Sequence, residues 1–162
     1  MKIDLNKSDR FTYRVAGLIR HQDRILLHRA DYEDFWALPG GGCEFYEESH
    51  NALKREFKEE LSASIEVTKL LWIVENFYNY ESKRVHEIGL YYHCKFIGES
   101  TKYYDYDSFK GTEAFLHAKK PFKLIFEWVP ISQLYKVDLR PSFLSKEIES
   151  SCEYPRHFSY SS

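Results

Sequence analysis

The sequence predicts an α+β fold, a sandwich built around a mixed sheet, and three observations support this. Strand-like segments come first, one long helical segment follows, and further strands precede short helical segments near the end. With 162 residues the chain can bury a sizeable core. We therefore expect residues 1–162 to form a single domain.

The first third of the chain contains short strands joined by turns. Phe11–Ile19 and Arg24–His28 are rich in apolar and β-branched residues and predict two strands, with residues 21–23 as the turn. Phe35–Leu38 is a third, shorter candidate. The run from Pro39 to Gly42 predicts a break in regular structure, because proline and glycine interrupt both helices and strands.

A helix is predicted from about Glu47 to Leu61. Leu53, Phe57 and Leu61 recur at four-residue spacing and form one apolar stripe. Neither glycine nor proline interrupts the segment. We expect this stripe to pack on the sheet.

The middle of the chain predicts a hairpin of long strands. Ile65–Tyr78 and Val85–Ile97 are rich in β-branched and aromatic residues, and residues 81–83 suit the turn between them. The polar, tyrosine-rich segment Gly98–Gly111 predicts a loop. Phe122–Val129 predicts another strand.

Two prolines predict helix starts near the end of the chain, because proline suits the first helical position. Pro130 would begin a short helix to about Tyr135, and Pro141 would begin a C-terminal helix to about Ser150. Residues after 150 have no strong pattern.

Composition excludes several classes of protein. The formal net charge of −2 offers no broad attraction for nucleic acid. The three cysteines form no Cys-x-x-Cys pair, which argues against a zinc site or a disulfide framework and favours a reducing cytoplasm. No apolar run is long enough to span a membrane. His86-Glu87 lacks the downstream cysteine pair of a zinc deaminase.

Three glutamates on the predicted helix indicate a metal site. Glu56, Glu59 and Glu60 would lie within about 100° of arc, beside the apolar stripe. Such close carboxylates repel one another unless a cation lies among them. Carboxylate oxygens suit Mg²⁺ or Mn²⁺, and magnesium commonly takes a substrate phosphate as a further ligand. The simpler alternative is a solvated acidic helix face.

The segment around this helix resembles the Nudix box. Gly41 is followed by five residues and Glu47, and seven further residues lead to Arg-Glu-Phe-Lys-Glu-Glu-Leu-Ser-Ala at 55–63. Ser62 stands where the box carries glycine, which predicts a strained, left-handed helix exit. Tyr46 also stands where many members carry glycine. The lead-in at 36–41 is similar to that of the family.

The resemblance implies an α/β/α sandwich with the catalytic helix after a glycine-rich loop. It implies that Mg²⁺ or Mn²⁺ is held by Glu56, Glu59 and Glu60 near the backbone of Gly40. Arg55 would orient a glutamate of the box, with Glu47 as its structural partner beside Gly41. The resemblance implies that Glu59 or Glu56 accepts the proton of the attacking water. The residues that the resemblance assigns to this site are Gly40, Gly41, Glu47, Arg55, Glu56, Glu59 and Glu60.

Residues outside the box are weaker candidates. A glutamate elsewhere sometimes serves as the base in this family, and Arg14 and Arg29 could meet substrate phosphates. Aromatic residues could stack on a base, although core packing is the simpler role for each. The candidate bases are Glu87, Glu99 and Glu113; the candidate stacking residues are Phe77, Tyr78 and Tyr80, and Tyr103, Tyr104 and Tyr106 in the predicted loop.

The expected function is Mg²⁺-dependent hydrolysis of a diphosphate bond in a nucleoside triphosphate or another nucleoside-diphosphate-linked substrate. ADP-ribose, nucleotide sugars and dinucleoside polyphosphates are alternatives. Some ADP-ribose hydrolases of the family carry a proline downstream of the box where Tyr78 and Asn79 stand here, which makes ADP-ribose less favoured. Tyr80 stands where some dinucleoside polyphosphate hydrolases carry tyrosine and gives weak support for that substrate. A non-catalytic nucleotide-sensing module and an interaction protein are further alternatives. We expect the partner to be a small nucleotide-like molecule and neither nucleic acid nor membrane. The sequence is compatible with either a monomer or a homodimer.

Overall fold

The computed structural model of the protein describes residues 1–114, 122–150 and 155–161, with the side chains of 112–114 left aside. Nine strands and two α-helices lie in these ranges. Two 3-10 helices accompany them, at Gly98–Asp105 and Ile131–Lys136. The strands are β1 (Lys2–Asp4), β2 (Asp9–His21), β3 (Arg24–Ala30), β4 (Gly40–Gly42), β5 (Ile65–Tyr80), β6 (Lys83–Phe96), β7 (Ser108–Ala114), β8 (Phe122–Pro130) and β9 (Arg156–Ser161); the helices are α1 (Ser49–Leu61) and α2 (Leu144–Glu147).

The strands form one mixed sheet in the order β7-β8-β3-β2-β6-β5-β9, with β1 and β4 paired to β2. The β2–β6 and β5–β9 pairs are parallel, and the other pairs are antiparallel. The parallel β2–β6 pair places α1 within the connection between two neighbouring central strands. This arrangement confirms the predicted mixed sheet.

Helical segments cover both faces of the sheet. On one face Leu53, Phe57 and Leu61 of α1 are buried against β2 and β6 residues such as Val15 and Tyr92. Each large apolar side chain buried in this way contributes about 1.5–3 kcal/mol. The predicted stripe of α1 is therefore confirmed as its core-facing side.

The opposite face has a separate apolar cluster. Leu134 from the second 3-10 helix and Leu144 and Ile148 from the α2 region are buried there against Trp72 and Tyr91. The layers are therefore helix, sheet and helix. No helix in the described ranges has the length and apolar character needed to cross a membrane.

Most predicted strands exist, with ends that shift by a few residues. The paired strands β5 and β6 meet at Glu81 and Ser82, which both have positive φ, as a tight turn requires. Phe35–Leu38 is not a full strand: Trp36 and Ala37 make only isolated bridges, to Leu139 and His28.

The prediction that the glycine run interrupts regular structure was wrong. Gly40–Gly42 form β4 and pair with Arg14–Ala16 of β2. Gly40 has φ of +150°, and a Cβ there would lie 2.1 Å from the backbone oxygen of Val15. Glycine at 40 therefore lets two backbones approach closely, which explains why this segment can be a strand.

The prediction that Gly98–Gly111 is a loop was wrong. Its first half is a 3-10 helix and its second half enters β7. Tyr103 donates a hydrogen bond to the Leu61 backbone oxygen at 2.7 Å, and the Phe96 backbone N–H donates to the Tyr104 hydroxyl at 2.9 Å. Phe109 stacks on Phe126 with ring centroids 5.5 Å apart. The aromatic residues order this segment because they pack against the core.

The C-terminal region also differs from the prediction. The helix predicted over 141–150 is only the single turn α2, whereas the short helix predicted after Pro130 is present as 3-10. Residues 156–161, which have no strong sequence pattern, form β9 beside Trp72–Phe77 of β5. Cys152 and residues 115–121 lie outside the described residues.

Candidate active site

The side chain of Arg55 joins the acidic residues of the loop and helix. It donates to both carboxylate oxygens of Glu47, at 2.9 and 2.8 Å. It also donates to Glu56 at 3.0 Å, to Glu59 at 3.2 Å and to the Gly42 backbone oxygen at 2.9 Å. The expected pair of Arg55 and Glu47 is therefore present, and the same guanidinium orders two further glutamates.

This network fixes the charge state of the Arg55–Glu47 pair. The hydrogen bond from Arg55 lowers the pKa of Glu47, and the same contact raises the pKa of Arg55 further above its already high value. The Glu44 backbone N–H donates to Glu47 at 2.9 Å and also favours the ionised carboxylate. The pair thus anchors the loop to the second turn of α1.

Glu56 is pressed against the glycine strand. A Cβ at position 41 would lie 2.2 Å from the carboxyl carbon of Glu56, so only glycine leaves room for this carboxylate. Glu56 is buried, and burial raises its pKa despite the nearby charge of Arg55. Glycine at 41 is therefore required by Glu56, while its backbone pairs with Val15 of β2.

Glu60 lies on the other side of the acidic group. Burial and the charge of Glu56 raise the pKa of Glu60 to about 8. Its carboxylate faces His28 of β3, with 3.8 Å between Glu60 Oε2 and His28 Nδ1. Burial holds the pKa of His28 down at about 3, so the imidazole is neutral. Glu59, in contrast, has a side chain 52% exposed to solvent.

The three glutamates lie on one side of α1 but do not converge on one point. Glu56 and Glu59 turn toward Arg55, whereas Glu60 turns toward His28. Within residues 1–114, 122–150 and 155–161, no three His, Cys, Asp or Glu side chains are placed together as a metal-binding group. Metal binding by these residues stays a prediction.

The charge of Arg14 on β2 acts both on the glutamates of α1 and on Glu87, which belongs to a second polar cluster. It donates to the Leu38 backbone oxygen at 3.2 Å. Burial alone would lower the pKa of Arg14, but the charges of Glu87 and other groups, including Glu60, raise it overall. The charge of Arg14 in turn lowers the pKa values of Glu56 and Glu60. Arg14 is thus close enough to act electrostatically on the candidate site.

The second polar cluster surrounds Glu87 on the sheet face opposite α1. Glu87 is buried and accepts hydrogen bonds from Thr12 at 3.3 Å and from Tyr78 at 3.1 Å. Asn76 lies opposite Glu87 in the β5–β6 register and is also buried. Sequence reasoning named Glu87 as a possible base, and the structure gives it a buried hydrogen-bonding environment rather than a surface one.

The other candidates lie in varied places. Arg29 donates to the Glu33 backbone oxygen at 2.7 Å and lies over the Trp36 ring at 5.1 Å, which is a structural role. The ring of Phe77 contacts His86 at 4.5 Å between centroids. Burial raises the pKa of Tyr80 to about 12.

The two remaining candidate bases are Glu99, which lies apart from the acidic cluster, and Glu113. Glu99 lines a cavity of about 410 Å³ with Lys58, Ser62 and Lys102, at the C-terminal end of α1. Glu113 lies in β7 opposite Lys123, and its side chain is outside the described residues.

Sequence reasoning missed His28, Thr12 and Asn76. A single signal was available for His28: the alternation of β3 places it on the same face as Leu26, toward α1. The departures from the box were informative, since Tyr46 and Ser62 keep the left-handed φ angles of 64° and 53° that glycine favours.

Comparison with known proteins identifies the family of the domain. The sequence model of the NUDIX domain matches residues 10–146. A stretch of 62 residues is 32% identical to YjhB of Bacillus subtilis (strain 168), provisionally assigned as an ADP-ribose pyrophosphatase. That stretch is 38% of this chain and only 30% of the relative's length.

Solved structures of low identity share the fold. A MutT protein from Methanosarcina mazei Go1 is 17% identical with a TM-score of 0.59, covering 89% of this chain and 94% of that one. A MutT protein from Bacillus halodurans is 18% identical with a TM-score of 0.58, covering 93% and 90%. A UDP-X diphosphatase is 22% identical with a TM-score of 0.54, covering 90% of this chain and 62% of that one.

Proposed function

Because the chain belongs to the NUDIX family, whose domain covers residues 10–146, we propose that it hydrolyses a diphosphate bond in a nucleotide-like substrate with Mg²⁺. The observation that carries this proposal is the Arg55 network. One guanidinium orders Glu47, Glu56 and Glu59, and a solvated acidic face would not need such a half-buried and shared partner.

The residues fit a hard divalent cation. Glu56, Glu59 and Glu60 offer only carboxylate oxygens, which are the ligands that Mg²⁺ and Mn²⁺ favour. The space beside Glu56 is one that a Cβ at Gly41 would fill. The raised pKa values of Glu56 and Glu60 mean that a nearby positive charge would favour their ionised forms. We assign the metal site to these glutamates and to the adjoining backbone of Gly40.

The bound cation would lower the pKa of a water molecule and offset the charge on phosphate oxygens. Glu59 is the most exposed of the three glutamates and can reach a solvent water, so we assign it the proton of the attacking water, with Glu56 as the alternative. Arg55 orients Glu56 and Glu59. Arg14 supplies positive charge for substrate phosphates, because it is the cation whose field reaches Glu56 and Glu60 from β2.

The substrate we propose is a nucleoside triphosphate or another nucleoside-diphosphate-linked compound. ADP-ribose is an alternative because the similar stretch of YjhB belongs to a protein provisionally assigned that activity. Nucleotide sugars and dinucleoside polyphosphates remain in the same chemical class. A nucleotide-sensing module without turnover is less favoured because the glutamates and Arg55 are all retained.

A substrate screen with a matched variant tests this proposal. The purified chain with Mg²⁺ would be incubated with nucleoside triphosphates, ADP-ribose, nucleotide sugars and dinucleoside polyphosphates, with products identified by phosphorus NMR. Glu59→Gln should reduce turnover at least ~100-fold, because a base or metal ligand is lost. Glu149→Gln, at an exposed site, is the control and should leave turnover unchanged. Full activity in Glu59→Gln would refute the role of Glu59, and no hydrolysis of any compound would refute the function.

A further inference from the structure

The imidazole of His28 is held rigidly beneath the acidic helix. The His28 backbone exchanges two hydrogen bonds with Ala37, each 2.9 Å long. The ring packs against Phe126 with centroids 5.5 Å apart, and its side chain is 9% exposed. Backbone and ring are therefore both fixed, so any polar contact of this side chain is set by the fold.

The Nδ1 atom of this ring has no hydrogen-bond partner in the described part of the chain. Buried polar atoms in folded proteins nearly always have one. Glu60 Oε2 is 3.8 Å away, just beyond hydrogen-bond distance. The nearest acidic group to the unsatisfied nitrogen therefore belongs to the proposed metal site.

Only a small side-chain adjustment separates the two groups. The Glu60 backbone is fixed, because a Cβ at Gly111 would come within 2.7 Å of the Glu60 backbone oxygen. The helix end is thus packed directly on β7. We therefore expect rotation of the Glu60 side chain, rather than movement of α1, to close the 3.8 Å gap to His28.

We propose that His28 is a positioning residue that donates a hydrogen bond from Nδ1–H to one oxygen of Glu60 and so aims the other oxygen at the bound cation. This inference rests on the proposed function, since it assumes a divalent cation at Glu56, Glu59 and Glu60. A neutral imidazole with its proton on Nδ1 makes the donor. Partners of this kind commonly orient metal-ligating carboxylates, and their loss weakens metal binding about 10–100-fold.

The alternative role of His28 is only to fill space against Phe126. Two substitutions separate these roles. His28→Asn places an amide N–H near the position of Nδ1 and keeps a donor, whereas His28→Leu fills similar space without one. His93→Leu is the matched control, because His93 lies on β6, points to the other sheet face and bonds to Thr68.

The test measures Mn²⁺ affinity of the full chain by electron paramagnetic resonance, without substrate. We expect His28→Leu to weaken Mn²⁺ binding at least ~10-fold, and His28→Asn and His93→Leu to stay within about threefold of the unsubstituted chain. In a Glu60→Gln background, His28→Leu should cause little further loss, because the partner is already removed. The Mg²⁺ dependence of turnover should shift in parallel.

Other outcomes would overturn the proposal. Unchanged Mn²⁺ affinity in folded His28→Leu would show that Glu60 needs no such donor. Equal weakening in His28→Asn and His28→Leu would show that ring shape matters and not the hydrogen bond. If His28→Leu does not fold, His28→Asn against His28→Gln carries the same comparison of donor placement. If the unsubstituted chain hydrolyses nucleotides and His28→Leu leaves Mn²⁺ affinity unchanged, only this inference is refuted. If the unsubstituted chain binds no Mn²⁺, the proposed function is refuted too.

Discussion

The carboxylate of Glu56 occupies the space beside Gly41 that any larger residue would need, because a Cβ at position 41 would lie 2.2–2.5 Å from the carboxyl atoms of Glu56. The position of the Glu56 carboxylate therefore depends on the absence of a side chain at Gly41. This contact joins β4 to α1 more directly than the sequence motif suggests.

Gly41→Ala should impair the site through Glu56. We expect at least ~10-fold weaker Mg²⁺-dependent activity, because the carboxylate must move away from its place beside Arg55. Mg²⁺ titration of turnover is the measurement. Gly42→Ala is the control, since its Cβ would come nearest to the amino terminus of Met1, at 2.5 Å, and no atom of Glu56 would lie closer to it than 3.8 Å. Equal activity in both variants would contradict the steric argument.

Arg55→Ala should reduce turnover far more than Lys54→Ala. Arg55 donates to three glutamates, whereas Lys54 is exposed on the neighbouring position of the helix. We expect a loss of at least ~100-fold for Arg55→Ala and less than about twofold for Lys54→Ala, measured as kcat/KM. Arg55→Lys should not restore full activity, because a lysine cannot bridge both oxygens of Glu47 while contacting Glu56. The reverse ranking of Arg55 and Lys54 would overturn the assignment.

Stability without metal should fall as pH rises from about 5 to 8. The pKa of Glu60 is raised to about 8 by burial and by Glu56, so the folded state holds its proton more tightly than the unfolded chain. The stabilising effect of protonation is complete below pH ~4.5 and is lost as pH rises through about 8. Mg²⁺ should therefore raise Tm more at pH 8 than at pH 6. Each kcal/mol added to the free energy of unfolding corresponds to about 2–4 °C in Tm for a chain of this size.

Glu60→Gln provides the control for this pH effect. Glutamine does not titrate, so the metal-free Tm of this variant should depend less on pH between 5 and 8. Differential scanning fluorimetry at both pH values, with and without Mg²⁺, measures the difference. A metal-free Tm that rises across this range in the unsubstituted chain and not in Glu60→Gln would contradict the predicted direction.

Ser62→Gly should stabilise the protein by about 1 kcal/mol. Ser62 ends α1 with φ of 53°, and its N–H bonds to the Lys58 backbone oxygen at 2.9 Å, so the exit is of the type that glycine favours. Chemical denaturation measures the change in the free energy of unfolding. Ser64→Gly, where φ is not positive, should destabilise the chain. A destabilised Ser62→Gly variant would show that serine makes a compensating contact.

The helix and its acidic face could be predicted because both depend on local spacing. Leu53, Phe57 and Leu61 mark the buried side of α1, and the glutamates follow from the same periodicity. The Arg55–Glu47 pair was expected from the resemblance to the Nudix box, not from the spacing alone. Its further bonds to Glu56 and Glu59 require the rotamers of the folded site.

Other features depend on contacts distant in sequence. Gly40–Gly42 have the composition of a break, and only the adjoining β2 backbone makes them a strand. The rings of Tyr103 and Tyr104 look like loop residues until the end of α1 and β6 are beside them. His28 gives no local sign of its contact with Glu60, because β3 and α1 meet only through the tertiary fold.

The last described strand has a consequence for self-association. β9 pairs in parallel with six residues of β5, from Trp72 to Phe77, and so occupies the outer edge of that long strand. Removing residues 156–161 would leave that edge with unpaired N–H and C=O groups, which recruit strands from other molecules. Light scattering should then rise more steeply with protein concentration in the truncated chain than in the intact one, whose edge on this side is the short strand β9 rather than the long strand β5.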